Sequence, residues 1–162
     1  MGARRYAEGT DVPVERSKAE IESLLRKHGA TGFVSGWDDE LGEQRIMCRI
    51  DGRMLRFTVT KPTPEDFVPE PGPGVPYDLS KRRRTGEKRA EQEHRRRWRA
   101  QLLVIKAKLE MIAAGEGSID TEFLANVMLP SGETFGEWAA PQLEAAYEDG
   151  GMPPLLPSGG AG

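Results

Sequence analysis

The chain has 162 residues, with 23 Lys and Arg against 26 Asp and Glu, two His, one Cys, 19 Gly and 12 Pro, and a formal net charge of -3. Its hydrophobic fraction of 37% lies below the roughly 45–50% usual for globular chains, which predicts one core with unpacked segments around it. No apolar run approaches the roughly 18 residues of a membrane-spanning helix, the start Met1 to Tyr6 leads into Ala7-Glu8-Gly9-Thr10-Asp11 instead of an apolar signal segment, and Cys48 with the distant His28 and His94 lacks metal-ligand spacing. The expectation is an intracellular protein with no membrane contact, structural metal or cofactor.

Residues 1–16 read as an extended N-terminal arm. Ser17-Lys18-Ala19-Glu20 has the spacing of a capping box, which predicts a helix starting there. Ile21, Leu24 and Leu25 give it one apolar stripe, and Gly29 is placed to end it. Three strands follow: Thr31 to Trp37, Glu43 to Ile50 and Arg53 to Thr60. Asp51-Gly52 is a two-residue hairpin signal, and counting back from it sets Cys48 opposite Leu55, Ile46 opposite Phe57 and Gln44 opposite Val59. That face is apolar, whereas Arg45, Arg49 and Arg56, with Arg53, are read on the other.

Residues 61–85 read as a proline-rich and then basic loop that lets the basic element move relative to the sheet, since its prolines oppose both helix and central strand. Residues 86–148 are the helical part of the same domain. A long helix is expected from about Glu87, polar all round as far as Arg97. Two stripes then appear, Trp98, Leu102, Ile105, Leu109 and Ile112 on one side and Ala100, Val104, Ala107, Met111 and Ala114 on the other, so cover on both sides is predicted. Ser118 is expected to cap a short helix, Pro130-Ser131-Gly132 to turn, and Thr134-Phe135-Gly136-Glu137 to open a last helix with Trp138, Leu143 and Tyr147 inward, kinked or divided at Pro141. Residues 149–162 read as an extended, flexible tail. The fold class is therefore α+β: a small three-stranded antiparallel sheet with an N-terminal helix, a long central helix and two short C-terminal helices.

Charge is unevenly spread. Lys81 to Arg99 carries ten basic residues and three acidic ones, so that an acidic body bears a concentrated basic element. Enzyme motifs are missing: there is no phosphate-binding loop, dinucleotide glycine fingerprint, zinc-protease helix or G-x-S-x-G elbow. The third strand lacks the carboxylates of a metal-dependent nuclease, Cys48 on an apolar face reads as packing rather than a nucleophile, and Asp38, Asp39 and Glu40 read as a turn rather than a cation site. The chain is read as a non-enzyme. Clustered Lys and Arg supply most sequence-independent nucleic-acid affinity, so Lys81, Arg82, Arg83, Arg84, Lys88, Arg89, Arg95, Arg96, Arg97 and Arg99 are the candidate phosphate contacts. Arg45, Arg49 and Arg56 would complete a groove with them. Trp98 is read first as the start of the buried stripe and second as a base-stacking surface.

The segment from Arg95-Arg96-Arg97-Trp98-Arg99 through Phe123-Leu124-Ala125 and Leu129-Pro130-Ser131-Gly132 to Met152-Pro153-Pro154-Leu155-Leu156-Pro157, with Ala30-Thr31-Gly32-Phe33 and Gly36-Trp37 in the first half, resembles a family of small proteins encoded by tailed phages and prophages. The resemblance implies a phage origin, and hence the cytoplasm of an infected or lysogenic bacterial host; it carries over no functional residue. By analogy of fold alone, the helix, three strands, helix order is similar to double-stranded-RNA-binding domains and to the core of phage single-strand annealing proteins. The expected function is a phage nucleic-acid-binding protein, DNA ahead of RNA, in the role of a replication or recombination accessory of the single-stranded-DNA-binding or annealing type. The alternative is a module that binds a host or phage protein, for example to inhibit a defence system, since an acidic surface can occupy a partner's nucleic-acid groove.

Overall fold

The computed structural model describes residues 6–7, 9–70, 72–73 and 78–150, and its architecture is α+β. Helix α1 spans Val14–Lys27, β1 Gly32–Asp38, β2 Glu43–Ile50 and β3 Arg53–Thr60, followed by a 3-10 turn at Pro64–Phe67. Helix α2 runs over Leu79–Ala113, α3 over Ile119–Glu122 and α4 over Phe135–Asp149, with a second 3-10 turn at Leu124–Asn126 between the last two.

The sheet has the order β1-β2-β3, antiparallel throughout. Asp51 and Gly52 both have positive φ, 49° and 71°, the backbone that a two-residue hairpin of right-handed twist requires and that Gly52 adopts without steric cost. The register that follows is the one counted from the turn: Ile50 faces Arg53, Cys48 faces Leu55, Ile46 faces Phe57 and Gln44 faces Val59. Because side chains alternate along a strand, this pairing gathers Ile46, Cys48, Ile50, Leu55, Phe57 and Val59 onto one buried face. Ile21 and Leu25 of α1 and Trp98, Leu102, Ile105 and Leu109 of α2 complete the core against that face. Each such side chain contributes about 1.5–3 kcal/mol by leaving water.

Helix α1 begins three residues before the capping box that the sequence suggests. The Pro13 carbonyl accepts from the amides of Arg16 and Ser17 at 3.1 and 3.3 Å, and Val14 packs on the core. Ser17 is consequently an interior helical residue, buried with its hydroxyl unbonded. Glu20 turns away from it and accepts from Arg99 at 2.8 Å and Arg16 at 3.2 Å. Gly29 ends the helix with φ of 96°, as expected.

The largest departure from the sequence reading is the start of α2. The helix begins at Leu79, about two turns before Glu87, because Asp78 caps it by accepting from the Lys81 amide. Residues 79–85 are thus helix and not loop. The proline-rich stretch is also pinned: Pro62 is buried, the 3-10 turn lies along α2, and Arg82 donates to the Pro69 carbonyl. From the arm, the Thr10 carbonyl accepts from Gln92 at 2.8 Å, so this part of residues 1–16 is docked as well.

Beyond α2 the chain closes the free edge of β3. Phe123 packs edge-on to Phe57, 5.8 Å between ring centres, Val127 bridges Leu55, and the Met128 amide donates to the Met54 carbonyl at 2.8 Å. Both predicted caps are present, with Ser118 and Thr121 exchanging bonds on α3 and Thr134 and Glu137 on α4. Helix α4 runs on past Pro141. Two expectations fail here. Leu143 and Tyr147 do not face inward but are 57% and 89% exposed. The second stripe of α2 is also uncovered: Val104, Ala107, Met111 and Ala114 are exposed, because α4 packs on the 3-10 turn before it instead of on α2. The expected tail, from Gly151 on, lies outside the described residues.

Candidate nucleic-acid interface

Helix α2 is about 50 Å long at 1.5 Å per residue, and the two halves meet different surroundings. Its second half rests on the sheet. Trp98 is fully buried and its indole N–H is shared between Gln44 Oε1 at 2.9 Å and His94 Nε2 at 3.1 Å. The helix therefore leaves the sheet at the Gln44 end, and its first half, held by the 3-10 turn and Arg82, projects beyond it.

The ten cations from Lys81 to Arg99 divide into two groups. Arg82 is held by Pro69, Arg95 by Glu91 at 2.7 Å, and Arg96 by Glu93 through two bonds at 2.7 and 2.6 Å. Arg97 bridges Glu93 and the Thr60 carbonyl at 3.3 and 2.8 Å, and Arg99 joins Glu20. These five tie the helix to itself, to α1 and to the end of β3, around a Glu93 that is only 7% exposed. Lys81, Arg83, Arg84, Lys88 and Arg89 are exposed, and none has a side-chain ion pair or hydrogen bond among the described residues. At 100° per residue Lys81, Arg84 and Lys88 form one ridge, opposite the half-buried Arg82 and the buried Gly86 and Ala90.

The arginines of the sheet do not join them. Arg45, Arg49 and Arg56 lie on the outer face, in register with Thr58, Met54 and Met47, and α2 covers the inner one. Two of the three also have structural partners. Arg45 bonds Glu43 at 2.9 and 3.2 Å with Asp38 at 4.0 Å. Arg56, its side chain 11% exposed, donates to the Gly132 carbonyl at 2.9 Å and to Glu137, fixing the start of α4. Arg49 alone of these is exposed and unbonded among the described residues. Arg53 lies in phase with Leu55 rather than on the outer face and pairs with Asp120 at 2.8 Å. The groove expected between a basic sheet face and a basic helix is thus not formed.

Two residues that the sequence reading passed over stand at the root of the projecting helix. Trp37 is 76% exposed and shares a depression of about 260 Å³ with Lys61, Gln44, Asp38, Asp39, Gly42 and Glu43. Arg45 pairs closely with Glu43 and stands 4.0 Å from Asp38, and the Asp38 carboxylate also accepts from the Leu41 amide at 3.0 Å, so Asp38 shapes the turn as expected. Among the described residues no cluster of acids, His and Cys suits a metal, and no helix is long and apolar enough to cross a membrane. Nothing short of β1 and β3 folding together reveals the pair, since Trp37 and Lys61 are 24 positions apart. Cys48 is buried, and burial pushes its thiol up to about 11, so the thiolate is scarce at neutral pH and the side chain packs.

His94 carries a pH dependence. Burial is the main cause holding its pKa below the ordinary 6.5, with the nearby charges of Lys18, Lys61 and Arg97 acting in the same direction. Its Nε2 must stay unprotonated to accept from Trp98. The unfolded chain takes up the proton first as pH falls, so stability is full above about pH 6.5 and declines below it until the native imidazole also titrates. Glu20, Asp78 and Glu137, whose pKa values are also lowered, act in a window below about pH 4.5. Urea melts at pH 7.5 and pH 5.5 should therefore differ, and His94→Gln should flatten the difference; an equal slope in the variant assigns it to other groups.

Comparison with known family models, curated proteins and solved structures finds no match to this chain.

Proposed function

We propose that this protein binds nucleic acid without transforming it, using the projecting first half of α2, with single-stranded DNA as the preferred form. The observation that carries the reading is the set of five exposed cations, Lys81, Arg83, Arg84, Lys88 and Arg89, whose side chains make no hydrogen bond or close ion pair among the described residues, while the other five cations between Lys81 and Arg99 are bonded. Glu87 is exposed among them, and the five cations still leave this half of the helix a net positive surface. Trp37 takes the stacking role that the buried Trp98 cannot fill, and Lys61 stands beside it; base stacking on an exposed aromatic contributes about 1–3 kcal/mol and favours unpaired strands. The phage origin implied by the resemblance makes an accessory of replication or recombination in the bacterial cytoplasm the corresponding role.

The test is fluorescence anisotropy with labelled single-stranded and duplex DNA at 50 and 200 mM salt. Five phosphate contacts predict an affinity for single strands that falls roughly a hundredfold between those concentrations. The triple variant Arg83→Ala, Arg84→Ala, Lys88→Ala should bind far more weakly and reduce the slope by about 2. Trp37→Ala should weaken single-strand binding more than duplex binding. An affinity unchanged in the triple variant, or no binding at 50 mM salt, refutes the reading.

A second reading, a module for a host or phage protein partner, is favoured by α4, where Leu143 and Tyr147 stand one turn apart and exposed. It leads if DNA is not bound and Leu143→Ser with Tyr147→Ser abolishes co-purification of a host or phage protein.

A further inference from the structure

The second stripe of α2 is spaced as a heptad seam. Ala100, Val104, Ala107, Met111 and Ala114 follow one another at intervals of 4, 3, 4 and 3, the pattern that keeps one line of side chains facing a partner helix over several turns. Traced backwards at the same interval the line passes through Arg97, Glu93, Ala90 and Gly86. The chain covers that first part itself. A Cβ on Gly86 would lie 2.7 Å from the Pro64 carbonyl oxygen and 2.9 Å from a Val68 methyl, and Ala90 is 5% exposed. Past Arg97 the cover stops: Leu103 is 42%, Val104 48% and Met111 46% exposed.

We propose that the open part of the seam, Ala100 to Ala114, is closed by the same part of a second copy of the chain, packed antiparallel. Three features select this occupant and orientation. The larger side chains, Val104 and Met111, occupy one heptad position and alanines the other. In an antiparallel pair these two positions face each other, so Val104 meets Ala107 of the second copy and Met111 meets Ala100, large into small in four layers, with Ala114 at each end opposite the other Arg97. A parallel pair would set the two 3-10 turns at Pro64–Phe67 against each other at the same height and hold the helices apart. It would also lay the two basic first halves side by side, whereas the antiparallel arrangement separates them by roughly 60 Å at 1.5 Å per residue, well beyond the screening length of about 8–10 Å. The flanks agree with it. Leu103 lies beside the aliphatic stem of the other Glu110, and Gln101 beside the other Lys108, with no like charges opposed.

A seam of four layers buries less than the roughly 1,200 Å² of a standard interface, so the dimer should dissociate on dilution into the low micromolar range. Sedimentation equilibrium of the full chain from about 1 to 200 µM should show the 17.9 kDa monomer giving way to a dimer. Val104→Glu with Met111→Glu should weaken dimerisation at least a hundredfold while leaving the far-ultraviolet circular dichroism and melting temperature unchanged, because both sites are half exposed in the monomer. Orientation is read by mixing Val104→Cys protein with Ala107→Cys protein under mild oxidation: the mixture should cross-link faster than either alone, and the buried Cys48 does not compete. A wild-type chain monomeric at 200 µM overturns the proposal. So does a dimer that survives in the double Glu variant, which would move the contact to the free edge of β1, and so does faster cross-linking of Val104→Cys with itself. None of these outcomes depends on whether DNA is bound.

Discussion

Trp98→Ala should cost about 3–5 kcal/mol and lower the melting temperature by roughly 10–20 °C. Trp98 is fully buried where α1, the sheet and the point of exit of α2 converge, with the Lys18 ammonium 5.2 Å from the centre of its ring. Truncation empties the largest fully buried side-chain volume in the core and removes the donor shared by Gln44 and His94, so transfer, cavity and hydrogen-bond losses act together. Against a typical stability of 5–15 kcal/mol, that leaves the fold marginal. Trp98→Phe separates the contributions: it keeps most of the volume but not the N–H, and should cost about 1–3 kcal/mol. Urea unfolding followed by circular dichroism measures both. A Trp98→Ala protein within 1 kcal/mol of wild type would mean that the long helix is not anchored here, and would return Trp98 to the list of surfaces open to a base.

The hairpin and both C-terminal caps were legible from the sequence because each rests on short-range chemistry. Asp51-Gly52 sets the turn, the turn sets the register, and the register sorts Ile46, Cys48, Leu55, Phe57 and Val59 to one side. What was not legible depends on distant chain. The Ser17 box has the right residues, but a Val14 side chain packed on the core outweighs a cap worth about 1 kcal/mol. Similarly, the prolines before Glu87 read as a free loop until the 3-10 turn is seen lying on Gly86. The candidate interface shows the same division. The charge of Lys81 to Arg99 is plain in the sequence, but which five of its cations are free is decided by the positions of Pro69, Glu91, Glu93, Thr60 and Glu20. Trp37 and Lys61 become neighbours only through the pairing of β1, β2 and β3.

Gly86→Leu should detach the proline-rich stretch from α2 while leaving the rest of the core folded. Propensity alone favours the change, since leucine exceeds glycine in a helix interior by nearly 1 kcal/mol. Packing decides against it. The first added carbon already meets the Pro64 carbonyl oxygen at 2.7 Å and the Val68 backbone nitrogen at 3.3 Å, and a backbone cannot rotate aside as a side-chain end can. Three more carbons must displace the Pro64–Phe67 turn altogether, a strain of about 1–3 kcal/mol or more that local detachment relieves. The core formed by Trp98, Phe57 and Ile105 is far along the helix and keeps its contacts. The expected signature is therefore a loss of amide protection and new protease cleavage confined to residues 62–69, with a fall in melting temperature smaller than that of Trp98→Ala. The five exposed cations are untouched by the change, so affinity for single-stranded DNA should be retained. Global unfolding at ambient temperature would show instead that the turn is integral to the core, and unchanged protection would show that the close approach at Gly86 does not exist in solution.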